Sequence, residues 1–168
     1  MSDVIDENYL PESTMPEERY LQAYFGKQAN YYIERYKAYL SGNKFTFNIA
    51  PFFIGFIWFF YRKLWVEGAV IFFIIIASGF LEGLIYERFS VGESAQTIVF
   101  YVSSFVFGML WAFAGNYFYL KRAEKSIHEI LSATSDEDKR LELLATKGGV
   151  SLIPFIIILV LIIIALLM

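Results

Sequence analysis

Ile98–Leu120 reads IVFYVSSFVFGMLWAFAGNYFYL, twenty-three residues without a charged side chain. At 1.5 Å per residue such a helix is ~34 Å long, enough to cross a hydrocarbon core of ~30 Å. Three further apolar runs flank it. Phe45 to Tyr61 is short and aromatic, broken by Asn48, Pro51 and Gly55 and closed by Arg62-Lys63. Ala69 to Tyr86 is interrupted by Ser78 and Glu82, and Leu152 to Met168 is almost pure Ile, Leu and Val.

The composition agrees. The 168 residues are 57% hydrophobic and 20% aromatic, and only 18% are charged, against about 25% charged in a soluble domain. A net charge of −3 provides no basic field for nucleic acid. With no cysteine there is no disulfide framework, thiolate nucleophile or Cys-ligated metal. A single histidine, His128, offers little for a metal site, and no metal or other cofactor is expected. Residues 1–40 are acidic and polar, unlike a cleavable signal peptide.

Lys and Arg counts orient the chain. If the first run dips into the membrane and returns, thirteen of fourteen cations share one side and only Arg88 lies opposite; if it crosses, the split is eight to six. The expected fold is therefore an all-α integral membrane protein with three spans plus one half-inserted aromatic helix. The N-terminus is cytoplasmic and the C-terminus outside. The expected boundaries are an acidic tail over 1–15, a cytoplasmic aromatic segment over 16–44 and a membrane core over 45–120. Within that core lie the half-inserted helix 45–61 and the spans 69–86 and 98–120; a cytoplasmic helical loop over 121–149 and a final span over 150–168 complete the chain. Asn48 and Pro51, at membrane depth, must be covered by other helices.

The cytoplasmic segments have their own signals. Thr14 and Glu17 are spaced as a capping box with Pro16 in the first turn, and Gly26 ends that helix. A second helix over 30–40 stops at Ser41-Gly42-Asn43. Leu21, Phe25, Tyr32, Tyr36 and Tyr39 recur at helical spacing, suiting either a helix at headgroup level or one packed on the protein's own first membrane helix. Beyond Leu120 the third helix should continue into the polar loop, and Ser135-Asp136-Glu137-Asp138 starts another helix, which Gly148-Gly149 ends.

Within the membrane, small residues and hydrogen bonds decide where helices meet. Gly79 and Gly83 form a GxxxG pair, and Ser104, Gly108, Ala112 and Asn116 form a row four residues apart; the two faces are expected to pack together. Glu82 is the one carboxylate well inside a span, with Ser103 and Ser104 expected at similar depth as donors. Asn116, at the cytoplasmic end with Arg62, Lys63 and Glu67, is expected to tie the half-inserted helix to the other three. Trp58, Tyr61, Arg62, Lys63 and Trp65 suit interface anchors. The last run has no polar side chain and no small-residue face, which fits a lipid-facing or partner-facing helix.

Four blocks carry a family likeness: Phe25–Tyr32 (FGKQANYY), Phe47–Phe53 (FNIAPFF), Trp58–Lys63 (WFFYRK) and Gly115–Tyr119 (GNYFY). Over Tyr20 to Lys125 the chain resembles the bacterial small-membrane-protein family catalogued as domain of unknown function 2628. Its members usually read Lys-Met-Tyr where this chain has Lys63-Leu64-Trp65, which keeps an aromatic at the interface. The resemblance implies a bacterial cytoplasmic (inner) membrane location and brings no activity or catalytic residues. No nucleophile–base pair or phosphate-binding glycine loop is visible, so no enzyme is expected. The favoured function is a nonenzymatic scaffold or partner-binding component that contacts membrane lipid and a protein partner or second copy; the alternative is a transport or channel subunit using Glu82.

Overall fold

The computed structural model describes residues 15–167. The acidic stretch 1–14, including Thr14 of the expected capping box, lies outside the described residues. Among those described, the ordered elements are all helical, with no strand: α1 (Glu18–Phe25), a 3-10 turn (Gly26–Gln28), α2 (Ala29–Leu40), α3 (Ile49–Ile54), α4 (Phe56–Tyr61), α5 (Trp65–Phe89), α6 (Glu93–Ala133), α7 (Glu137–Lys147) and α8 (Ile153–Leu167). They fall into two units, Met1–Thr46 with Asn116–Gly149 and Phe47–Gly115 with Val150–Met168.

The first unit is a helical bundle with an aromatic core. α1 packs on α2 and α7. Tyr20, Leu21, Tyr24 and Phe25 of α1 and Tyr32, Ile33, Tyr36 and Tyr39 of α2 are buried, together with Tyr119, Leu120, Ala123 and Ile127 of α6. The rings interlock: Phe25 stacks on Tyr32 at 5.4 Å between centroids, and Tyr32 meets Tyr119 edge-on at 4.8 Å. Such offset and edge-to-face pairs each add about 0.5–1.5 kcal/mol beyond area burial. The tyrosine stripe is thus core, and the helix its rings meet is the continuation of α6 at Tyr119. Polar ties close the rim. The Tyr20 hydroxyl donates to Glu137 at 2.8 Å, and Arg140 donates to the carbonyls of Leu131 and Thr134 in and just after the last turn of α6. α7 starts where the sequence indicates, with the Asp136 carboxylate accepting from the Lys139 N–H at 3.2 Å.

The second unit begins with a broken helix. Asn48 caps α3, its side chain accepting from the Ala50 N–H at 3.1 Å, and its own backbone N–H donates to the Ala112 carbonyl at 2.9 Å. Gly55 separates α3 from α4 at φ +53°, where a side chain would be strained. Each half is six residues, or ~9 Å of helix, far short of a crossing. α4 packs on α5 and α8. Two helices, α5 and α6, are long and apolar enough to cross a membrane, with mean hydropathies of 2.3 and 1.8 over their most apolar stretches. α8 is apolar but only 15 residues long, so three spans are not established. α6 continues past Leu120 to Ala133, as the pattern of Ile127, Ile130 and Leu131 indicates.

Candidate functional site

The small-residue row on α6 is a close-packing face, with a different partner from the one expected. A Cβ added at Gly108 would lie 3.2 Å from the Phe52 ring and its carbonyl, and one at Gly115 2.8 Å from Pro51 and 3.2 Å from the Trp58 indole. Ala112 is fully buried between them. The aromatic wedge of α3 and α4 therefore sits on the Gly108–Ala112–Gly115 face, and Pro51 is covered as the buried backbone requires. Ser104, at the other end of the row, is exposed.

Gly79 and Gly83 do not take part. Both are exposed, and a Cβ at either would meet nothing within 4 Å. The expected pairing of GxxxG with the α6 row is therefore corrected. The glycine of α5 that receives a neighbour is Gly68, where a Cβ would lie 3.0 Å from the Phe60 ring. Gly68 sits just beyond the aromatic run of α4, the one signal that could have found it.

At the far end of α5, Glu82 lines a shallow cleft of about 300 Å³ with Tyr86, Gln96, Thr97, Phe100 and Tyr101. Ser103 and Ser104 are not among its walls, and the Ser103 hydroxyl donates to the Phe100 carbonyl of its own helix at 3.2 Å. The register explains the shift. α6 begins at Glu93, five residues before Ile98, and its first turns bring Gln96, Thr97, Phe100 and Tyr101 rather than Ser103 beside Glu82. Gln96 donates to the Val91 carbonyl at 2.7 Å and Thr97 to the Glu93 carbonyl at 3.0 Å. Glu82 is the one carboxylate in this cleft. Among the described residues no three His, Asp or Glu side chains stand together as a metal site.

Asn116 is fully buried, and its amide donates to the Thr46 hydroxyl at 2.9 Å and to the Tyr31 hydroxyl at 3.1 Å. Within the first unit the amide thus joins α6 to the Thr46 loop and to α2. Thr46 carries no sequence signal of its own and was missed.

Of the proposed anchors, Trp65 is exposed at the start of α5, and Tyr61 is half-buried with its ring 5.7 Å from Phe155. Lys63 is half-buried in the turn at φ +59°. Trp58 and Arg62 are corrected to buried residues, 2% and 3% exposed. Trp58 is held edge-on by Phe59 at 5.2 Å, and the Arg62 guanidinium lies over the Tyr61 ring at 5.4 Å. A ring so enclosed packs rather than marks the headgroup level.

The family described as "Protein of unknown function (DUF2628)" matches residues 14–125. The chain belongs to this family. The DUF2628 match takes in the aromatic bundle helices α1 and α2, the broken helix α3–α4, α5 and most of α6, and leaves α7 and α8 outside. Asn48, Pro51, Gly108, Gly115 and Asn116 all fall within the DUF2628 segment. Comparison with curated proteins and with solved structures gives no match.

Proposed function

We propose that this DUF2628 protein is a nonenzymatic, multi-pass membrane component whose cytoplasmic aromatic bundle serves as a scaffold for a protein partner or a second copy. One observation carries the membrane part. α5 is among the most apolar helices of the chain, yet only 11% of its most apolar stretch is covered by protein. A core helix of a soluble protein would be mostly enclosed, and so much uncovered apolar surface calls for lipid.

In this reading α5, the first part of α6, and α8 cross, while α3 and α4 enter and return. Their six-residue halves, the break at Gly55 and the cover that Gly108 and Gly115 give to Phe52 and Pro51 support the return, because irregular backbone at membrane depth must be enclosed by protein. The cation count puts the N-terminus in the cytoplasm and the C-terminus outside. The bacterial cytoplasmic membrane is the location that the family resemblance implies. A nonenzymatic role fits the lone carboxylate of the Glu82 cleft and the exposed position of His128 on α6.

Single cysteines at Ser41, Val66, Ser94 and Ser132 test this directly in a chain with no thiol of its own. An impermeant thiol reagent applied to intact cells should label Ser94→Cys alone. Labelling at Ser41 or Val66 would overturn the returning helix.

A second reading, a transport or channel subunit, is favoured by the cleft that Glu82 shares with Tyr86. Ion or proton flux through reconstituted protein that is unchanged by Glu82→Gln removes it.

A further inference from the structure

We propose that a cleft in the first unit, between α2, α6 and the segment leading into α1, binds a phosphate group carried by an anionic lipid headgroup or a soluble phosphate ester. The cleft measures about 610 Å³, within the ~300–1,000 Å³ of small-ligand sites. Lys121, Lys125 and His128 line it from one face of α6, at i, i+4 and i+7. Residues at that spacing stand one above the other on a helix, so three side chains with nitrogen donors are stacked along a single wall. Ile127 and Leu131 of α6 and Tyr36 of α2 give the cleft its apolar part, and Met15 and Pro16 its edge. A phosphate ester matches that pairing, with charge toward the lysines and its carbon chain toward the apolar side.

One carboxylate also faces the cleft. Glu124 accepts the Tyr39 hydroxyl at 3.0 Å, which holds it toward α2. Lys125 pairs with Glu129 at 3.8 Å, with both side chains largely exposed, a contact weak enough to exchange for a ligand. The Lys121 ammonium lies 5.7 Å from the Tyr117 ring, which steadies it without neutralising it. Lys121 directly follows the uncharged run ending at Leu120. On the membrane reading proposed above, it stands at the cytoplasmic headgroup level, where phosphates are concentrated. The lipid source rests on that reading; the site itself does not.

His128 is the chain's single histidine, so an isotope-labelled imidazole reports this cleft alone. The full chain is placed in nanodiscs of neutral phosphatidylcholine and titrated with glycerol phosphate, and separately in discs containing phosphatidylglycerol. A saturable shift of the His128 resonances with glycerol phosphate identifies a site for free phosphate esters. Cross-relaxation between the His128 ring and phosphatidylglycerol headgroup protons identifies the lipid as the source. Neither signal in either arm overturns the proposal. The double variant Lys121→Gln/Lys125→Gln should weaken glycerol phosphate binding by about tenfold or more, as expected for two lost charge-assisted contacts. Lys139→Gln, an exposed lysine on α7, should leave it unchanged. Equal loss from Lys139→Gln would reveal diffuse attraction and sink the site. A chain that does not enter the discs refutes the membrane reading, and the glycerol phosphate titration of the detergent-solubilised chain then still decides the site.

Discussion

The carboxamide of Asn116 donates to the hydroxyl of Thr46 over 2.9 Å, joining residues seventy positions apart in a place closed to solvent. The amide also reaches the Tyr31 hydroxyl at 3.1 Å and the Thr46 carbonyl at 3.4 Å, so losing this one bond costs about 0.5–1.5 kcal/mol. Thr46→Val should therefore destabilise the chain by that amount, measured as a fall in thermal midpoint in mild detergent. Tyr31→Phe should cost less, because Tyr31 is only half-buried.

Gly148 offers the sharpest steric test. A Cβ there would collide with the Tyr24 carbonyl oxygen, and the next residue, Gly149, donates its N–H to that same oxygen at 2.9 Å. Gly148→Ala should cost about 1–3 kcal/mol through overpacking. Gly79→Ala, in open space on α5, should leave the thermal midpoint unchanged or raise it, since Ala is the better helix former.

Tyr39 titrates late. Burial, the hydrogen bond to Glu124 and the charge of that carboxylate push its phenol up to about 12. Tyr36 shifts in the same direction, first from burial and then from Glu124. Because the folded value lies above the free value near 10, this contribution to stability is complete below pH ~10 and is lost as pH rises toward ~12. Phenolate absorbance should show the delayed ionisation, and Glu124→Gln should move Tyr39 back toward its ordinary value.

Arg140 closes the end of α6 by donating to the carbonyls of Thr134 at 2.6 Å and Leu131 at 3.0 Å, and lies 3.4 Å from the Tyr20 hydroxyl. Arg140→Gln should cost about 1–2 kcal/mol, in line with hydrogen bonds from a charged group. The accompanying loss of amide-exchange protection should centre on the last turn of α6.

How much of this was legible depended on the kind of signal. The Asn48 and Asp136 caps and the Gly55 break are local signals and mark helix ends in the structure, whereas the one half-inserted helix expected over 45–61 is two six-residue helices and the last apolar run is helical from Ile153 to Leu167. The face that each apolar helix turns inward was not legible. α5 is apolar all round, so nothing in its pattern tells Gly79 and Gly83 from Gly68. Trp58 and Arg62 are amphipathic side chains that suit an interface or a packed core equally, and only their neighbours decide. Thr46 is one polar residue in a loop, and its value comes wholly from the amide brought to it by α6. The Glu82 cleft was half legible. The carboxylate stood out, but its neighbours depended on where α6 begins.

The separation of aromatic types has a practical consequence. Trp58, Trp65 and Trp111 all lie within Phe47–Gly115, whereas the buried tyrosines Tyr20, Tyr24, Tyr32, Tyr36, Tyr39 and Tyr119 all lie in the other unit. Indole fluorescence will follow melting of one half of the protein and phenol circular dichroism that of the other, so a single unlabelled sample can reveal whether the two halves unfold in concert or in turn.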